Sequence, residues 1–130
     1  MPQLVLLNSI SDLRDDAHGD WVVSGSHGGT SAAAFVLRCA QRPALVCFND
    51  AGVGKEGAGI AALALLQAQG VAAVAYSHES ACIGSAQDAW THGRISAHNA
   101  AAQALGAQVG QAVSELAAGC GVHEVRSTPG

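Results

Sequence analysis

Four residues able to move protons near neutral pH stand just after three apolar runs of the chain. His27 follows Trp21-Val22-Val23, Asp50 follows Ala44 to Phe48, and His78 and Glu79 follow Val71 to Tyr76. Imidazole titrates near neutrality, so His27 or His78 can serve as acid or base while Asp50 orients one of them. The same residues suggest a second chemistry. His27, Asp50 and His78 make a two-histidine, one-carboxylate set of the kind that leaves open positions on Zn or Fe, with Glu79 as the base acting on bound water. No local ligand pair such as His-x-x-x-His accompanies it, so a divalent metal is only the second expectation and no cofactor is assigned.

Around these residues lie groups suited to hold an anion. Gly28 and Gly29 precede one helical stretch, and Gly52 and Gly54 precede another, where glycine frees backbone N–H groups at a positive helix end. Lys55 and Arg94 supply cationic donors, and Ser26 and Asn49 supply neutral polar groups at the same strand ends. A small carboxylate- or phosphate-bearing substrate is the expectation. Gly52-Val53-Gly54-Lys55-Glu56-Gly57 also matches Gly-x-Gly-x-x-Gly, with Glu79 about 22 residues on as the ribose acid of a nucleotide-binding domain. Asn49-Asp50-Ala51 intervene between the strand and the first glycine, however, and Asp50 would repel a pyrophosphate. A mononucleotide P-loop is excluded, because Glu56 rather than Ser or Thr follows Lys55. Cys82 is a further candidate, as a thiol near His78 ahead of a helix start, against burial as the plainer account.

The elements that must position these residues alternate. Strands are expected at Gln3 to Leu7, Trp21 to Ser24, Ala44 to Phe48 and Val71 to Tyr76, from their Val-, Leu- and Phe-rich runs. Helices are expected over Ala32 to Ala40, capped by Thr30 or Ser31, and over Ile60 to Gln69, stopped by Gly70. A third starts at Ser85 and closes at Gly93. Arg94-Ile95 is a link or a fifth edge strand, Ser96 caps a helix over Ala97 to Leu105, Gly106 to Gly110 break the chain, and Gln111 to Ala118 form the last helix. Residues 120–130 read as a flexible or interface tail. This alternation implies a single α/β domain over 1–130, three-layered, with a mainly parallel sheet of four to five strands. Its ligand belongs at the carboxyl ends of the strands.

Composition narrows the function classes. Of 130 residues 49% are hydrophobic and 12% charged, about half the usual charged share. So little charged surface points to a homo-oligomer. A formal charge of −4 with six Lys and Arg leaves no basic stripe for nucleic acid, and no long apolar window predicts a membrane span. Four cysteines without Cys-x-x-Cys spacing suit a reducing, cytoplasmic setting. The expectation is a small-molecule hydrolase or lyase working by acid/base chemistry. Its rival is a non-catalytic ligand-binding or scaffold subunit with Ala-rich helices as partner surface.

Overall fold

The computed structural model describes residues 3–122, without the side chains of Lys55 and Glu56. Strands β1 (Leu4–Leu7), β2 (Trp21–His27), β3 (Leu45–Asn49), β4 (Ala72–Tyr76) and β5 (Ile95–His98) form one sheet in sequence order. The first four are parallel and β5 runs antiparallel to β4. The described helices are α1 (Thr30–Leu37), α2 (Ala61–Gln67), α3 (Ala86–His92), α4 (Ala100–Ala104) and α5 (Val113–Gly119). The fold is α/β with a mostly parallel sheet, as the alternation of elements implied.

The unbroken apolar runs have a direct cause. Every residue of β3 and β4 is buried, because the sheet is covered on both faces. Alternation sends Val22, Val46 and Phe48 to one face, where they meet Ala33 and Val36 of α1 and Leu66 of α2. It sends Trp21, Leu45 and Val74 to the other, against Trp90 of α3 and Val113 and Leu116 of α5. Truncating a side chain as deeply placed as Phe48 costs about 3–5 kcal/mol. Cys39 and Cys47 are buried free thiols, and burial pushes the Cys47 thiol well above its ordinary range. Among the described residues no helix is long and apolar enough to cross a membrane.

Three expected boundaries differ, each for a local reason. Helix α1 starts at Thr30 behind Gly29, and no side chain caps it. A 3-10 turn, Lys55–Ile60, precedes α2, so the glycine-rich loop does not open directly onto an α-helix. Ser96 lies in β5 instead of capping a helix. Asn99 takes that role, its Oδ1 accepting the Ala102 amide at 2.9 Å. The same Oδ1 accepts the Ala73 amide, and Asn99 Nδ2 donates to the carbonyls of Leu63 and Val71. Asn99 thus ties α4 to β4 and α2. At the C-terminus Val122 is packed into the core, while the rest of the expected tail, 123–130, lies outside the described residues.

Candidate active site

The register brings the strand ends together. His27 pairs opposite Asn49, Asn49 opposite Tyr76, and Tyr76 opposite Ile95. Because β5 is antiparallel, its start lies at the same rim as the carboxyl ends of β3 and β4. Polar residues crowd this rim, and they fall into two groups.

The first group holds the chain itself. After β4 the segment from Ser77 to Ser85 runs back across the rim toward β1. Asn49 Nδ2 donates to the Ala81 carbonyl at 3.1 Å, the Gly84 amide donates to the Gly25 carbonyl at 2.7 Å, and Asn8 Oδ1 accepts the Ala86 amide at 3.0 Å. Gly25 must be glycine here: a Cβ would lie 2.6 Å from Gly84 C and Ser85 N, both backbone atoms. Ser26 Oγ accepts the Ile10 amide at 2.9 Å. Ser26 and Asn49, expected to bind substrate, are committed to these contacts, because a buried amide or carbonyl without a partner is costly.

The second group centres on Asp50, whose side chain is 7% exposed beside a His78 side chain that is 50% exposed. Asp50 Oδ1 accepts the Gly52 amide at 2.8 Å, the His78 amide at 3.0 Å and meets His78 Nδ1 at 3.3 Å. Its Oδ2 accepts the Ser96 hydroxyl at 2.6 Å. Burial pushes this carboxyl up. The Ser96 hydroxyl, the amides of Gly52 and His78 and the imidazole together outweigh it and hold the group below its ordinary value. An ionised carboxylate can only accept, so the contact is a hydrogen bond in the tautomer that carries the proton on Nδ1. The lone pair is then on Nε2, which bonds to no described residue, on a half-exposed ring.

The loop that builds this arrangement is strained. Ala51, Gly52, Val53 and Gly54 follow one another at φ of 51°, 75°, 69° and 73°. For Ala51, and more so for β-branched Val53, this region costs about 1–3 kcal/mol and persists only where the surroundings impose it. Here the Val53 amide bonds the Asp50 carbonyl, and the Gly59 amide bonds the Val53 carbonyl. Gly59 packs so closely against the Asp50 carbonyl oxygen that a Cβ would collide with it. The turn places the Gly52 amide under Oδ1 and leaves Gly52 facing the His78 ring.

That construction corrects the expected anion cradle. The Gly28 amide is taken by the carbonyls of Asn49 and Gly59, the Gly52 amide by Asp50, and the Gly54 amide by the Gly52 carbonyl. These three glycines serve loop closure, and a pyrophosphate would meet spent donors beside a carboxylate. Gly29 is the N-cap of α1 and lies against the His27 ring. His27 itself is exposed at the end of β2 and shares no hydrogen bond with Asp50 or His78 among the described residues. Among those residues no three His, Cys, Asp or Glu side chains gather into a group that could hold a metal ion. The His27, Asp50, His78 ligand set therefore does not assemble.

No family model, no curated protein and no solved structure matches the chain. The site has to be read from its own atoms. Glu79 is exposed, and its amide donates to Ser77 Oγ. Arg94 turns toward the Gly110 carbonyl and Glu115, at 3.4 and 4.0 Å, while its carbonyl accepts the Ser77 amide. The Lys55 side chain lies outside the description. Cys82 is an exposed free thiol whose amide donates to Asp88. A cavity of about 80 Å³ lined by Val5, Leu7, Asp12, Leu13 and Asp16 shares no residue with the Asp50 cluster. Of the four expected catalytic residues the fold brings Asp50 and His78 into contact. It adds Ser96, which the sequence offered only as a helix cap.

Proposed function

We propose that this chain is a small-molecule enzyme of the hydrolase or lyase type, in which Asp50 and His78 form an acid/base pair at the strand-end rim. The observation that carries the proposal is a buried Asp50, its oxygens taken by two amides and a hydroxyl, against a half-exposed imidazole. Asp50 fixes the ring and its tautomer, and Nε2 takes a proton from water or from a substrate carbon and returns it to the leaving group. The imidazole's hydrogen-bonding partner among the described residues is a carboxylate, not a hydroxyl or thiol. Direct proton transfer or activation of water therefore fits better than a covalent intermediate. The proposed substrate is a small carboxylate- or phosphate-bearing molecule, with Lys55 and Gly29 as the groups to hold its anion.

The test is turnover against a panel of small esters, phosphate monoesters and hydroxy acids, the last assayed for dehydration. His78→Ala and Asp50→Asn should each lower any turnover found by about 10²–10⁴-fold, the usual worth of a positioned acid/base. Turnover undiminished in His78→Ala overturns the proposal. The rival reading, a scaffold subunit, draws on exposed Leu65, Ile83, Leu105 and Val109. It gains if Leu105→Ser or Val109→Ser dissociates an assembly while no compound in the panel is turned over.

A further inference from the structure

Ser96 reaches Asp50 because the pairing of β4 with β5 is irregular. In the antiparallel pair Ala75 lies opposite Ala97, but Tyr76 lies opposite Ile95, so Ser96 is an extra residue without a partner on β4. A bulge of this kind re-aims one side chain, and bulges recur beside active sites. Ser24 gives a contrast within the same sheet, at the place where the β2–β3 register shifts, between Val23 and His27. Ser24 Oγ donates to a neighbouring strand carbonyl, that of Cys47, which is the ordinary fate of a buried serine. Ser96 Oγ instead donates to the free oxygen of a buried carboxylate at 2.6 Å, the short distance of a charge-assisted bond. The carboxylate plane turns on a single soft torsion. Its Oδ1 already carries two amides and the imidazole, the imidazole being the longest of the three contacts. The Ser96 hydroxyl is the contact that fixes the other end of that plane, at Oδ2.

We propose that Ser96, delivered by the β5 bulge, is the positioning residue of the Asp50–His78 pair: by clamping Oδ2 it keeps Oδ1 facing Nδ1 and so sets the tautomer of His78. The inference rests on the reading of Asp50 and His78 as an acid/base pair. Ser96 acts through Asp50. Its hydroxyl proton points at the carboxylate, not at the imidazole, which separates it from the nucleophile of a serine triad.

The test reads the imidazole nitrogens of His78 by long-range proton–nitrogen NMR in the full chain, at a pH where the ring is neutral, so no substrate is needed. The wild type should show protonated Nδ1 and bare Nε2. Ser96→Ala should lower the ratio of the Nδ1–H to the Nε2–H form about tenfold, the worth of one lost hydrogen bond to a charged group. Ser96→Thr, which keeps the hydroxyl, should restore it. Backbone amide shifts away from the rim should be unchanged, which a merely structural role for Ser96 would not predict together with a tautomer change. If Ser96→Ala does not fold, Ser96→Cys, with a weaker donor of similar size, should give a partial shift. An unchanged tautomer in Ser96→Ala, or in Ser96→Cys where that variant is used, overturns the inference, provided Asp50→Asn does change it. A wild type already in the Nε2–H form, indifferent to Asp50→Asn, would instead overturn the acid/base reading beneath it.

Discussion

Two aspartate–histidine pairs stand among the described residues, and the closer one is the poorer candidate. Asp88 and His92 sit one turn apart on α3, with Nδ1 and Oδ1 at 2.9 Å and side chains 31% and 64% exposed. Asp50 and His78 come from different strand ends, meet at 3.3 Å, and the carboxylate is 7% exposed. Both carboxyls are held below their ordinary value. For Asp88 the Cys82 amide is the main cause, followed by the His92 imidazole. Four hydrogen bonds overcome burial at Asp50. What separates the pairs is what the surrounding chain does for each. A helix surface brings residues four apart together at little cost and lets water compete for them. The rim commits a strained loop, a bulge and two amides to one carboxylate. An arrangement so expensive to build points to use, whereas a short surface contact does not.

The largest test of that contrast is removal of the carboxylates. Asp50→Ala strips the Gly52 and His78 amides and the Ser96 hydroxyl of their acceptor, and should cost about 3 kcal/mol in urea unfolding, since one unsatisfied buried group costs about 1–3 kcal/mol. Asp88→Ala opens a solvated helix end and should leave the midpoint close to wild type. Equal losses would erase the distinction. Next in size is the acid limb of stability. A carboxyl whose folded value lies below its ordinary 3.8 contributes stability above that value and loses it as pH falls through the lower one. Between about pH 5 and pH 1, stability of Asp50→Asn should therefore fall less steeply than that of wild type. Asp88→Asn should change the slope less. A smaller effect is expected from the imidazoles. Neither His78→Ala nor His92→Ala should unfold the protein, since both rings are half-exposed or more, yet only His78→Ala should lower any turnover found.

How much of this could be read from the chain depends on whether the signal is local. The runs at Val22, Val46 and Val74 announce strands because burial on both faces forbids polar residues there. Ser85 announces a cap, and its Oγ does accept the Asp88 amide. Asn49 and Asp50 are another matter. They are adjacent and similar in type, and one fastens the crossing segment while the other faces the imidazole. Side-chain direction at a strand end depends on where the chain goes next, and no spacing rule states that the segment after β4 turns back over β3 and β2. The engagement of the loop amides is not legible in the sequence for a related reason. Glycine at positive φ shows that a backbone can turn, not whether its N–H groups end up free. Ser96 left a faint trace: a lone serine among Ile95 and Ala97 at a short edge strand. Only the register defect in β5 turns it into a partner of Asp50.

The finest test of the two pairs is their response to salt. In double-mutant cycles the coupling of Asp88 to His92 should fall toward zero at about 1 M salt, where charges are screened within about 3 Å. The coupling of Asp50 to His78 should keep most of its value, because small ions cannot replace water that is not there around a buried carboxylate. The cycle must be run where the imidazoles are charged, and Asn is the proper replacement at both aspartates so that the amide partners keep an acceptor. Equal sensitivity to salt would mean that the rim is as wet as the helix surface. Asp50 would then lose the one property, a protected negative charge behind an accessible ring, on which the proposed role of His78 as a base rests.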